Sequence, residues 1–335
     1  MSVSLSIVVP VYSGAQYLEN LLLEVKKVRE KWEKGSIPCR VTELIFVDDD
    51  SKDDSSTVLK SLSNTEWVHV VTLAKNYGQH AATNAGISYT SGDWVVTLDE
   101  DLQHHPEHIE AMLKVAVENS ADIVYANSTT AVHNSWFRDL SSRYYKKLMT
   151  TLTKNKHISN FNSYRLIRGS VARSAAAVSS HNGYLDIVLS WFTNKVEVYK
   201  LTMIDQRFTE TGQSGYNLSR LLSHARRLIM TSDAKLLRFA AVFGLAILVF
   251  CVFSAQYVIF SKLFFPESIG ATGWTSQIVT TLFIGSGLAI TLSIIAEYLA
   301  VIVQHVHGKP TYSIVDRSTD TVLIEFFQGD GSCSL

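Results

Sequence analysis

Two carboxylates one residue apart, Asp99 and Asp101, stand in the stretch Thr97-Leu98-Asp99-Glu100-Asp101-Leu102-Gln103. The preceding Asp93-Trp94-Val95-Val96 reads as the end of a buried strand, and the periodic Ile109, Met112, Leu113 and Ala116 read as a helix. In a strand, residues i and i+2 point to one face, so Asp99 and Asp101 are expected to converge. Two facing carboxylates repel unless one takes a proton or a cation lies between them. A hard divalent ion with oxygen ligands gives the simplest relief, and magnesium typically binds one or two carboxylates together with substrate phosphates. That chemistry is the holding of a diphosphate. An acidic, solvated strand-to-helix loop has the same composition, because Asp is common in turns.

The elements that must position this pair read as alternating strands and helices. Leu5 to Tyr12, broken by Pro10, is a buried strand, and Leu18, Leu21, Leu22, Val25 and Val28 recur at helical spacing. Glu43 to Val47 is a second apolar strand ending in Asp48-Asp49-Asp50, with Val58, Leu59 and Leu62 opening a helix. Val68 to Leu73 is a third strand, followed by the loop Lys75 to His80 and a small-residue helix over Ala81 to Ile87. Ala121 to Tyr125 and Val196 to Leu201 read as further strands, and 160–168 as a loop entering a strand. Continuous apolar strands alternating with helices predict a mostly parallel sheet covered on both faces, an α/β fold of Rossmann-like type. Ligands in such sheets sit beyond the carboxyl ends of the strands. Tyr12, Asp48 to Asp50, Lys75 to His80 and Asp99 to Asp101 all fall on that rim, although turn chemistry alone can place such residues there.

The chain has 335 residues, a formal net charge of −1 and three cysteines, Cys39, Cys251 and Cys333. The charge balance supplies no broad basic surface for nucleic acid. The cysteines have neither metal-ligand spacing nor a disulfide framework, which fits a reducing compartment. The N-terminus lacks a basic region ahead of its first apolar run, so no signal peptide is expected there.

The apolar excess lies late in the chain. Phe239 to Phe260 and Ile278 to Val303 are two runs of at least the ~20 residues a spanning helix needs. Arg226, Arg227, Lys235 and Arg238 precede the pair, and Lys309 and Arg317 follow it. The positive-inside bias puts the large N-terminal part and the tail on the cytoplasmic side. Leu218 to Ile229 reads as a basic amphipathic helix able to lie in the interface. The expected organisation is a catalytic unit over 1–215, juxtamembrane helices over 216–235, two transmembrane helices over 236–304 and a tail over 305–335. Glu297, in the second run, is a helix-pairing or functional candidate, with snorkelling to the interface as the alternative.

With these motifs in view, the chain resembles the family-2 inverting glycosyltransferases with a GT-A fold. Within them it is similar to the polyprenyl-phosphate glycosyltransferases, relatives of dolichol-phosphate mannosyltransferase and the bacterial undecaprenyl-phosphate sugar transferases. The resemblance rests on Val9-Pro10-Val11-Tyr12, Ile45 to Ser51, Asn76-Tyr77-Gly78-Gln79-His80, Gly92 to Glu107, Tyr164-Arg165-Leu166, Arg207 with Gly212-Gln213-Ser214, and Glu297-Tyr298. It implies that Pro10, Tyr12 and Asp49 hold the donor's base and ribose. It implies that Asp99 and Asp101 are the metal ligands, for Mg²⁺ or Mn²⁺, with Gln79, Glu100, Gln103 and Ser214 around the donor. It places Arg165 and Arg207 where phosphate or acceptor binds, and counts both with Asp99 and Asp101 as catalytic.

The implied partners are a nucleotide-sugar donor, a polyprenyl-phosphate acceptor and the membrane, with no nucleic acid. The implied location is the bacterial inner membrane, catalytic part in the cytoplasm, and a homo-oligomer formed through the membrane helices is compatible with the pattern. Three departures stand out: Ser13-Gly14-Ala15 where the family often has Glu, Asn127 to Thr130 where many members carry Arg, and Asn160, Asn162 and Ser163 where many place an Asp. A processive polysaccharide synthase of the same superfamily would carry a Gln-x-x-Arg-Trp motif and more membrane spans, which the sequence lacks. A non-catalytic membrane-anchored scaffold that binds nucleotide sugar is the remaining alternative.

Overall fold

The computed structural model describes residues 2–35, 37–128, 160–179, 184–201, 235–264, 273–306 and 310–315. The elements come in the order β1 (Val3–Val11), α1 (Ala15–Lys34), β2 (Cys39–Asp48), α2 (Ser55–Leu62), β3 (Val68–Thr72), α3 (Gln79–Ser88) and β4 (Trp94–Thr97). A short 3₁₀ turn (Pro106–His108) leads into α4 (Ile109–Glu118), β5 (Ile123–Ser128), β6 (Arg165–Arg168), α5 (Gly169–Val178), α6 (Leu185–Phe192) and β7 (Val196–Leu201). Two long helices follow, α7 (Lys235–Phe264) and α8 (Trp274–Val306).

The strands form one seven-stranded sheet in the order β3-β2-β1-β4-β6-β5-β7. Every neighbouring pair is parallel except those made by β6, which runs antiparallel to both β4 and β5. The mostly parallel α/β sheet expected from the apolar runs is therefore present. Both of its faces are covered. Leu5, Ile7, Val9 and Val11 of β1 pack on α1 and α4, whereas Val8 faces the opposite layer with Ile45, Val47, Ala82 and Ala172. Alternate residues thus serve two cores, which is why the strand reads as an unbroken apolar run.

Small residues let α3 lie directly on the sheet. Ala82, Ala85 and Gly86 are buried, and a Cβ on Gly86 would run into Val8 and Val47. Gly78, at φ +90°, turns the chain into α3, a conformation glycine adopts without a Cβ penalty. This close seat brings Gln79, the first residue of α3, to the rim of the sheet.

Two membrane-spanning helices were expected. Among the described residues, one segment, Phe283–Val303 of α8, is long and apolar enough to cross a membrane; the apolar part of α7 is the shorter Val242–Ser254. The two helices pack together, with Gly287 close against Ile247. Beyond α8 the chain returns to the sheet. Ile314 bridges Leu73 just past the end of β3, and the Ala74 and Val315 amides donate to Ser313 and Thr72 carbonyls at 2.8 and 2.9 Å. Tyr312 and Ile314 add their side chains to the core on that face.

Candidate active site

The carboxyl ends of β1, β2 and β4 frame a cleft of about 330 Å³ lined by Pro10, Tyr12, Asp49, Asn76, Gln79, Asp99, Glu100 and Asp101 among others. Small-molecule sites start near this size. Seven of the residues singled out from the sequence thus share one wall: Pro10, Tyr12, Asp49, Gln79, Asp99, Glu100 and Asp101.

Asp99 and Asp101 both line this cleft, for a different reason than strand alternation. β4 ends at Thr97, and both residues lie in the turn beyond it. Leu102 closes that turn at φ +59°, a left-handed conformation that costs a branched side chain on the order of 1–2 kcal/mol. The Gln103 amide donates to Asp101 Oδ1 at 3.2 Å, an Asx-type closure of the same turn. Asp99 is held on both sides: Gln79 Nε2 donates to Oδ1 and Ser163 Oγ to Oδ2, each at 2.6 Å. Beneath it His104 is buried and stacked on Tyr164. Burial pushes the His104 imidazole below its ordinary pKa against the pull of Asp99 and Asp101. Its Nδ1 accepts the Asp99 amide at 3.3 Å, so a neutral ring carries its proton on Nε2.

Two other acids of the cleft act on the backbone. Asp49 accepts the Tyr77 and Gly78 amides at 2.7 and 2.8 Å and so fixes the loop that leads into α3. Burial pushes its carboxyl above the usual range, opposed by those two amides. Glu100 accepts the Tyr12 and Ser13 amides at 2.9 and 3.2 Å and packs against Gly14, where a Cβ would stand 2.6 Å from Glu100 Oε2. Its carboxyl too is raised by burial. Asp48 accepts from the Ser51 amide, Ser51 Oγ and Ser56 Oγ at 2.9, 2.6 and 2.8 Å.

Arg165 does not reach the cleft. It is 2 % exposed, its Nε donates to Thr97 Oγ at 3.0 Å, and its guanidinium pairs with buried Asp186. Burial opposes its charge, but Asp186, Tyr125 and Tyr184 together more than offset this and raise the pKa of the guanidinium. A phosphate-binding role expected for Arg165 therefore conflicts with its place in a buried ion pair; sequence alone carries no sign of that burial. Arg207 and Ser214 lie outside the described residues, as does the basic helix over 218–229. Ser163, seen from the sequence only as a departure from a family pattern, turns out to touch Asp99 directly. Asn162 is engaged elsewhere, its Nδ2 donating to the Ala126 carbonyl at 2.6 Å.

Among the described residues, no group of three or more His, Cys, Asp or Glu side chains is arranged to hold a metal ion alone. Two carboxylates on an open cleft are nonetheless the donor set magnesium or manganese uses when a diphosphate supplies further oxygens, so Asp99 and Asp101 fit such an ion. Burial pushes the Cys39 thiol up to about 11, which removes it as a nucleophile at neutral pH.

An uncharacterized glycosyltransferase of Synechocystis sp. is 26 % identical over 318 residues, covering 94 % of this chain and 96 % of that protein. Undecaprenyl-phosphate 4-deoxy-4-formamido-L-arabinose transferases of Proteus mirabilis and Sodalis glossinidius are 28 % and 29 % identical, each covering 92 % of both chains. Among solved structures, glucosyl-3-phosphoglycerate synthase from Mycobacterium tuberculosis, in complex with Mn²⁺, UDP-glucose and phosphoglyceric acid, overlays with a TM-score of 0.45 at 15 % identity, covering 70 % of this chain and 79 % of that one. The family model for glycosyl transferase family 2 matches residues 6–175, from β1 through most of α5. The chain belongs to glycosyl transferase family 2.

Proposed function

We propose that this glycosyltransferase moves one sugar from a nucleotide-sugar donor to a polyprenyl phosphate, with inversion, at the cytoplasmic face of a membrane. The observation that carries the reading is the cleft itself: Asp99, oriented by Gln79 and Ser163, stands with Asp101 over a donor-sized space at the carboxyl ends of the parallel strands. The acceptor class comes from the relatives aligned over 92 % of both chains, which are named for undecaprenyl phosphate.

In the proposed reaction an acceptor phosphate oxygen attacks the anomeric carbon. The bond from that carbon to the diphosphate breaks, and its electron pair leaves with the nucleoside diphosphate. A phosphate monoester is mostly ionised at neutral pH, with a second pKa of about 6, so its oxygen needs positioning more than deprotonation. This accounts for a site in which Asn160, Asn162 and Ser163 stand where many family members place an Asp. Asp99 and Asp101 would hold Mg²⁺ or Mn²⁺, which when bound neutralises charge on the departing diphosphate. Gly78 and Gln79 at the start of α3 line the cleft and the first turn carries no acidic residue, so the positive end of that helix would favour a diphosphate bound there. Asp49 and Glu100 keep the two flanking loops, with Tyr12 and Gln79, in register for the donor.

The membrane part of the proposal is a hairpin of α7 and α8. At about 1.5 Å per residue the apolar Phe283–Val303 segment of α8 matches the ~30 Å hydrocarbon core, and α7, whose apolar part is shorter, would lie beside it. Lys235 and Arg238 at one end and Lys309 and Arg317 at the other favour the cytoplasmic side for both ends. The return of residues 310–315 to the sheet supports the same arrangement. The test supplies full-length protein in detergent or nanodiscs with undecaprenyl phosphate, a panel of nucleotide sugars and Mn²⁺. The expected product is a lipid-linked sugar with stoichiometric release of nucleoside diphosphate, suppressed by EDTA. Donor binding with no transfer to the lipid from any donor would point instead to a binding scaffold.

A further inference from the structure

A chain of polar contacts runs from the buried interior to Asp99. Tyr125 Oη donates to Asp186 Oδ1 at 2.9 Å, and the same carboxylate pairs with Arg165. Arg165 Nε donates to Thr97 Oγ, the residue it faces across the β4–β6 pairing. Thr97 Oγ in turn donates to the Ser163 carbonyl at 2.5 Å. Ser163 Oγ lies 2.6 Å from Asp99 Oδ2 and 3.3 Å from Asn162 Oδ1, so its single proton goes to Asp99. Asp186 and Arg165 are 3 % and 2 % exposed. A buried ion pair is a poor source of net stability, because desolvation offsets the attraction. Here its visible effect is geometric: it fixes Thr97, which fixes the backbone of Ser163.

We infer that Ser163 is a positioning residue that sets the Asp99 carboxylate for a divalent cation, and that the Arg165–Asp186 pair acts through Thr97 to hold Ser163 in place. This rests on the reading of Asp99 as a cation ligand. A carboxylate oxygen has two acceptor directions. The Ser163 hydroxyl occupies one on Oδ2 and Gln79 one on Oδ1, and each oxygen keeps a second on a side chain that lines the cleft. Without Ser163 the carboxylate can rotate about its terminal torsion, which is broad for Asp. Partners of this kind, hydrogen-bonded to a ligand, change metal affinity by about 10- to 100-fold.

The experiment measures Mn²⁺ binding by electron paramagnetic resonance on the full-length protein, alone and with UDP or GDP, for the wild type, Ser163→Ala and Ser163→Thr. The expected result is Mn²⁺ affinity at least about tenfold lower for Ser163→Ala, near wild type for Ser163→Thr, with the thermal unfolding midpoint unchanged in both. Equal affinity for the wild type and Ser163→Ala would overturn the positioning role while leaving Asp99 as a cation ligand. No Mn²⁺ binding to the wild type, even with nucleotide, would overturn the cation reading and this inference together.

Discussion

The β2 rim and the β4 rim are both acidic, and they use their carboxylates in opposite ways. At the end of β2, Asp48 and Asp49 turn inward and accept hydrogen bonds from Ser51, Ser56, Tyr77 and Gly78. At the end of β4, Asp99 and Asp101 line open space, and the acid between them, Glu100, turns back to grip the β1–α1 loop. Residue type and place on the sheet are the same. What separates a carboxylate that builds the site from one that can bind a ligand is where its lone pairs point. Backbone amides hold Asp49, and an amide with two nearby serine hydroxyls holds Asp48; side chains of other elements, here Gln79 and Ser163, orient Asp99.

This contrast is sharpest under substitution. Asp101→Ala should lower turnover on the order of 10²–10³-fold, the scale for losing a group that stabilises developing charge, while the urea midpoint stays near wild type. A large loss of stability in that variant would move Asp101 to the loop-building class. Asp49→Asn should do the reverse in kind. Loss of one buried acceptor costs about 1–3 kcal/mol of stability and loosens the loop before α3, which raises the donor KM more than it lowers kcat.

Asp49 also carries a pH signature. Burial raises its folded pKa above the ordinary 3.8, so the folded state binds that proton more tightly than the unfolded chain. Its contribution then weakens the fold as pH rises from 3.8 to the raised value, and the penalty stays above it. Asp49→Asn should remove that slope from a plot of the urea midpoint against pH; an unchanged slope would assign it to other groups. Glu100→Gln is the mildest change. It keeps a neutral acceptor for the Tyr12 or Ser13 amide, so stability should shift by no more than about 1 kcal/mol, read by chemical denaturation. A loss of turnover as deep as that of Asp101→Ala would show that Glu100 belongs with the cleft pair after all.

Much of the first 128 residues was legible because their strands are buried on both faces and their helices show helical spacing. Val196 to Leu201 was read as a strand and is β7. The antiparallel insertion of β6 was not legible, because an apolar run carries no direction. Nor was the fate of Arg165: a guanidinium near a phosphate and one paired with Asp186 look identical until residues 21 positions apart are brought together. Asp99 and Asp101 do share one cleft, but not by the strand alternation expected of them, since the strand stops at Thr97 and both lie in the turn that Leu102 closes.

The antiparallel bridge between Ile314 and Leu73 has a kinetic consequence. Between Val306, the last residue of α8, and Thr311, which donates to the Ser179 carbonyl, the chain takes five steps, a reach of about 18 Å at most. If α8 is anchored in a bilayer as proposed, so short a leash would keep the catalytic unit within a thin shell of solvent over the headgroups. Encounter with a lipid-borne acceptor would then be a search over a surface, its rate scaling with the acceptor's density in the leaflet rather than its bulk concentration.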